Sequence, residues 1–343
     1  MTVPFLVGSD QGDPDRGEVA ARRTTVTLAR SAVTQAYSRF AVLPILLGVL
    51  ILAQIEDGSF LTWSSIQLTL QQNAPLGIIA VGLTFVLIGG GIDISVGALY
   101  AAGASVYAKI ALHHSLILAF AAAVAAGSVA GTVNGLLVTR LKFNPFVATL
   151  GTASLFGGLV VVYAGNQALV PHNPAFGDLG NNSLGGVAYV VIILVATFLV
   201  GSLALHRTSY GKSLFAIGGS FGASHLAGLR VDLYRLFTYV ISGTCAAVAG
   251  VIYASQIGLS ESGLGGGNLV ALTAIAIVVL GGTSLFGGDG AMWRTIVGFT
   301  ILASITTIFT VLAITQPVQE MIEGGIVVAA LILDAAARNR SAV

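Results

Sequence analysis

Asp93 is the side chain whose type and surroundings fit each other least. It stands in the run Gly89-Gly90-Gly91-Ile92-Asp93-Ile94-Ser95-Val96-Gly97, a glycine-flanked break between two apolar stretches. Two uses of such a break are open. Asp93 or Ser95 caps the first turn of the next helix by accepting from a free backbone N–H. Alternatively the break, with Gly91, Asp93, Ser95 and Gly97, lines or gates a cavity, because irregular backbone at membrane depth persists only against protein or water. The other acids sit at the ends of apolar stretches, unlike the buried carboxylates that mark the pathways of ion-coupled carriers.

Enzyme chemistry finds little to work with. Gly211-Lys212-Ser213 ends like a phosphate-cradling loop, but His206 stands where that loop needs its first glycine. Gly282 to Gly288 has the glycines without the Lys-Ser/Thr, so the chain has no ATP site of its own. His113, His114, His172, His206 and His225 lie apart, with no acidic companion at metal-ligand spacing, and read as solvated loop side chains. Cys245 is single, which excludes an intrachain disulfide. No Ser/His/Asp or Cys/His spacing defines a nucleophile.

Amides are the remaining polar candidates, since they bond the hydroxyls of a neutral solute. Asn73 and Asn268 each open an inward-running apolar span, and Gln72, Asn166 and Gln167 are further candidates. Asn134 stands beside Gly127, Gly131 and Gly135, whose four-residue spacing clears a helix stripe for close packing. It either bonds across helices or lines a path.

The elements that position these residues follow from composition. Of 343 residues 55% are hydrophobic and 8% charged, with 44 glycines and a net charge of +1. Soluble domains carry roughly 25% charged residues, so lipid is the solvent here and nucleic acid is not a partner. Residues 1–39 form a charged, solvated tail, and residues 338–343 a short polar end. Between them lie ten apolar windows, near 40–55, 75–91, 95–112, 115–138, 146–164, 187–205, 236–257, 269–285, 295–315 and 320–337, each read as a membrane crossing. Ten crossings gather 14 of the 15 Lys and Arg on one side, leaving only Lys109 opposite, as the positive-inside rule requires of cytoplasmic segments. The fold predicted is an all-α polytopic membrane protein, without a soluble domain and with both termini cytoplasmic.

The loop 206–235 is the most structured cytoplasmic segment, read as two short helices around a glycine turn. Thr208, Tyr210, Gly211, Lys212, Leu214, Phe215, Ala216, Ile217, Gly218, Gly219, Ala223, Ala227, Gly228, Leu229 and Val231 resemble, in register, the coupling loop of permease subunits of ribose-type bacterial ABC sugar importers. Gly90 to Gly97, Ala274 to Ser284 and Gln319 to Asp334 resemble three further segments of that family. Ser220 and Ser224 replace its usual Asn and Ala, and Ala271, Arg294 and Glu323 stand where it commonly has Glu, Gly and Lys. These departures leave the sugar open.

The resemblance implies an inner-membrane permease that carries a monosaccharide, such as ribose, xylose or a related polyol, inward by alternating access. It implies a second permease subunit, a cytoplasmic ATPase pair holding ATP and Mg, and an extracytoplasmic sugar-binding protein; this chain itself binds no cofactor and is not an enzyme. On that reading Tyr210, Gly211, Lys212, Phe215, Gly218, Gly219, Ala223, Leu226, Gly228 and Leu229 form the element that meets the ATPase, with Lys212 and Arg230 facing its acids. A secondary carrier or passive channel is the alternative. Val86 to Gly97 and Val278 to Gly288 also share an apolar-then-glycine pattern, which hints at a duplicated unit.

Overall fold

A computed structural model describes residues 42–261 and 267–341. The tail 1–39 lies outside the described residues. Ten long helices occur among those described: α1 (Val42–Glu56), α2 (Trp63–Ile88), α3 (Val96–Ala111), α4 (Leu116–Thr139), α5 (Pro145–Ala164), α7 (Tyr189–Arg207), α10 (Val231–Ile257), α11 (Gly267–Leu280), α12 (Met292–Val311) and α13 (Gln316–Ser341). Each overlaps one predicted window. Three short α-helices, α6 (Asp178–Asn181), α8 (Ser209–Gly219) and α9 (Phe221–Leu226), a 3-10 turn (Pro174–Gly177) before α6 and a small β1–β2 hairpin (Ser183–Leu184, Val187–Ala188) before α7 complete the described elements.

The windows are not ten equal crossings. Among the described residues α2, α4, α5, α7, α10 and α12 are long and apolar enough to span a membrane. α1, α3 and α11 are apolar but have only 15, 16 and 14 residues. Fourteen helical residues reach about 21 Å, short of a ~30 Å hydrocarbon core. Glycine breaks end α2 and α11 early, at Ile88 and Leu280.

Helix α2 also begins twelve residues before its predicted window at 75. Its first turns carry Ser64, Ser65, Gln67, Thr69, Gln71, Gln72 and Asn73, which conceal the helix from an apolar-window search. Thr62 caps it, accepting from the Ser65 N–H. Pro75 lies inside and has no N–H for the Gln71 carbonyl. Gln256 Nε2 supplies the missing donor at 2.7 Å. Of residues 73 to 88 all but Leu76 are buried, making α2 the centre of the bundle. α4, α5 and α7 turn apolar side chains outward, with Val162 80% exposed.

Helix α10 packs on α2, α3 and α4 through backbone approaches that only glycine permits. A Cβ at Gly131 would collide with the Tyr239 carbonyl, one at Gly127 with that of Gly243, and one at Gly250 with that of Tyr100. The predicted glycine stripe is therefore a contact between α4 and α10. Gly131→Val should lower the melting temperature of the detergent-solubilised protein, the cost of such overpacking being about 1–3 kcal/mol or more. Gly151→Val, where the added Cβ meets nothing within 4 Å, should not; equal shifts would refute the packing account.

Candidate functional site

The two glycine motifs form matched helix ends. At the end of α2, Gly89 N–H donates to Phe85 O, Gly90 N–H to Leu87 O and Gly91 N–H to Val86 O. At the end of α11, Gly281, Gly282 and Thr283 donate to Ile277, Val279 and Val278 in the same pattern. Gly90 (φ 70°) and Gly282 (φ 87°) occupy the left-handed position of this C-cap, which glycine adopts without a side-chain clash. The sequence likeness of Val86 to Gly97 and Val278 to Gly288 is thus repeated in backbone geometry.

The two ends touch. Gly288 N–H donates to Ile88 O at 3.0 Å, and a Cβ at Gly287 would stand 2.8 Å from the Gly90 Cα. Helix α8 closes the junction: a Cβ at Gly218 would collide with Ile88 O and stand 2.5 Å from Gly288 N. Three segments distant in sequence therefore meet at backbone separation. Each cap carbonyl also accepts from an arginine, Gly90 O from Arg235 Nη2 at 3.4 Å and Gly282 O from Arg294 Nη1 at 2.8 Å. Arg294 is buried and paired with Asp289 at 2.7 Å, so the cationic departure noted in the sequence belongs to this junction.

The loop 206–235 folds as two helices, α8 and α9, with Thr208 capping the first and Ser220 the second. One face rests on the chain's own body. Gly211 lies against the Leu205 carbonyl, Leu214 and Ile217 are buried, and Tyr210 stacks on Tyr234 and donates to its carbonyl at 3.2 Å. Burial pushes the Tyr210 phenol well above its usual range, keeping it the donor. Phe215 stacks on His206. His206 is therefore not a loop residue: it sits in the last turn of α7 and accepts from Met292 N–H.

The other face is open. Lys212, Gly219, Ala223, Gly228 and Arg230 are exposed and Leu229 half-buried, while Leu226 is 89% exposed. A Cβ at Gly219 would meet nothing within 4 Å. The hairpin glycines thus divide, Gly211 and Gly218 seating on the chain itself and Gly219 facing outward.

Asp93 is completely buried. Its Oδ1 accepts from the Ser95 N–H at 3.0 Å and the Ser95 hydroxyl at 2.6 Å, and its Oδ2 from the Ser242 hydroxyl at 2.8 Å. Ser95 makes no side-chain cap, which corrects that expectation; Asp93 instead closes a turn on the Ser95 N–H. Gly97 lies buried in the first turn of α3. Gly91 has no room for a Cβ, which would stand 2.6 Å from the Tyr239 hydroxyl. Successive turns of α10 hold the break, through Arg235 to Gly90 O, Tyr239 hydroxyl to Ile92 O and Ser242 to Asp93. Charge alone could not reveal this grip, because two of its three donors are neutral hydroxyls 147 and 149 residues away from the groups they bond.

The amides separate. Asn134 Nδ2 donates to Ser95 Oγ at 2.6 Å, so it bonds across helices at the Asp93 cluster. Asn73 does not open a span: it lies in the third turn of α2, donates to Thr69 O and accepts from the Thr306 hydroxyl at 3.0 Å. Thr69 and Thr307 continue this hydroxyl seam between α2 and α12, which the window search missed. Gln72, Asn166 and Gln167 are exposed. Asn268 is the second residue of α11, and its side chain lies outside the described residues. Glu323 accepts from Thr273 at 3.2 Å, and Ala271 is buried.

An apolar bundle of helices, six of the described ones long and apolar enough to cross a membrane, makes this an all-α polytopic membrane protein. Residues 65–331 match the family described as the permease component of the branched-chain amino acid transport system, and the chain belongs to that family of transport components. It is 34% identical over 297 residues to the ribose import permease protein RbsC of Bacillus subtilis, covering 86% of this chain and 91% of the relative. It is 32% identical over 313 residues to the L-arabinose ABC transporter permease protein AraH of Azospirillum brasilense, covering 91% and 92%. With the D-allose transport system permease protein AlsC of Escherichia coli K12 it shares 30% over 300 residues, covering 87% and 91%. No solved structure matches it significantly.

Proposed function

We propose that the chain is the membrane-spanning permease subunit of an ABC importer that carries a monosaccharide, a pentose such as ribose or xylose or a related polyol, into a bacterial cell. It works as one of two permease subunits in the cytoplasmic membrane, with both termini inside, an ATPase pair below and an extracytoplasmic sugar-binding protein above. ATP and Mg belong to the ATPases. The relatives named for ribose, arabinose and allose support the substrate class.

The observation that carries the reading is the two-faced hairpin. Its inner face touches the end of α2 and the glycine loop after α11 together, while Gly219 and Leu226 are left open for a partner. A closing ATPase that moved the hairpin would move the end of α2 relative to the loop after α11 and change access to the bundle.

The test is uptake by the chain reconstituted with its ATPase and binding protein. Wild type should import sugar only with ATP. Gly219→Glu should insert normally yet lose ATP-driven uptake by about tenfold or more, since a charge on a docking surface costs several kcal/mol when desolvated unpaired. Uptake by the permease alone, without ATPase, would favour a carrier or channel instead.

A further inference from the structure

The two matched helix ends are held by unequal arginine clamps. At the α11 end, Arg294 is only 5% exposed, donates to Gly282 O at 2.8 Å and is fixed by Asp289 through Nη2 at 2.7 Å. At the α2 end, Arg235 makes a long 3.4 Å bond to Gly90 O, and its Nε is buried without a hydrogen-bond partner among the described residues. What faces the Arg235 guanidinium is the ring of Phe221, with the Arg235 Cζ 4.6 Å from the ring centroid. Phe221 is the first residue of α9, and a Cβ on Gly90 would stand 2.8 Å from its Cζ.

We propose that Phe221 and Arg235 are positioning residues forming a releasable latch between the hairpin and the end of α2, while Arg294 and Asp289 make the end of α11 a fixed anchor. A half-buried guanidinium whose Nε donor is enclosed and unused is poorly satisfied, so little energy separates this arrangement from one in which it bonds elsewhere. A cation–π contact is worth about 0.5–2 kcal/mol, and it leaves when the ring moves. An ion pair with a buried arginine does not release so readily, because breaking it strands a desolvated charge. Motion of the hairpin therefore frees α2 first and leaves α11 as the pivot. This rests on the importer reading.

Two measurements test it. In the complex with ATPase and binding protein, Phe221→Ala should lower sugar imported per ATP hydrolysed about tenfold, within the usual range of coupling between sites, and Phe221→Trp should restore it. Asp289→Asn should lower uptake and hydrolysis together, in proportion to the folded complex. Phe221 is 43% exposed, so its truncation removes little core. An unchanged ratio for Phe221→Ala, or an equally reduced one for Asp289→Asn, overturns the latch. In the permease alone, Phe221→Ala should speed hydrogen exchange at the Gly90 and Gly91 amides and not at Gly282 and Thr283; equal change at both ends also overturns it. Absence of ATP-driven uptake by the wild-type complex would instead sink the importer reading, and the exchange measurement would still judge the latch.

Discussion

Gly218→Ala is expected to abolish ATP-driven uptake and to lower the melting temperature of the purified permease, whereas Gly219→Ala next to it leaves that temperature near the wild-type value. The contrast follows from what a single methyl meets. At 218 it collides with the Ile88 carbonyl and comes within 2.5 Å of Gly288 N, whereas at 219 it meets open space. The neighbours at 218 are backbone, which cannot rotate away as a flexible side chain would. Either α8 lifts off the junction, or Gly288 N–H loses its bond to Ile88 O. Overpacking of this kind costs about 1–3 kcal/mol, and the lost bond about 0.5–1.5 kcal/mol more. The loss of uptake should exceed what the stability change explains, because the methyl separates the hairpin from the α2 end and from the loop after α11 at once. Thermal melting of the two alanine variants, together with uptake by Gly218→Ala in membranes, decides it. Wild-type uptake by Gly218→Ala would show that the close approach carries no motion.

The bundle was legible in the sequence because apolar windows and one-sided basic residues are both local signals. The start of α2 was not, since the Gln71 and Asn73 side chains spend their polarity on Gly180, Thr69 and Thr306, partners that a window cannot see. Helix length is obscured for a related reason: a glycine run reads as apolar, so the apolar windows extend past Ile88 and Leu280, where the helices end. The hairpin's two helices and its turn were readable from spacing. Which of its glycines faces inward was not, because Gly218 and Gly219 are equivalent in sequence and differ only in what stands opposite. Asp93 was conspicuous as an acid among apolar residues, yet its partner Ser242 lies on α10, and an ordinary serine in an apolar helix carries no signal of its bond.

Asp93→Ala should be among the most damaging single changes in the chain. It would leave three donors without their acceptor, the Ser95 N–H, the Ser95 hydroxyl and the Ser242 hydroxyl, in a site closed to water. Each unsatisfied buried group costs about 1–3 kcal/mol, and hydrogen bonds to charged groups are worth about 1.5–3 kcal/mol. Ser242→Ala removes one bond and should cost about that last amount alone. Asp93→Asn keeps an acceptor oxygen at one position and should fall between the two, since the hydroxyls can rotate to accept from its amide. The double change Asp93→Ala with Ser242→Ala should cost less than the sum of its parts, because the second truncation removes a donor that the first has already stranded. Melting temperatures of the four proteins in one detergent measure this coupling. Strict additivity would mean that the Ser242 bond contributes nothing, and α10 would then hold the break through Arg235 and Tyr239 alone. A positive coupling would tie Asp93 to the helix that follows the hairpin, which explains why a carboxyl group belongs in a break that glycine alone could have made.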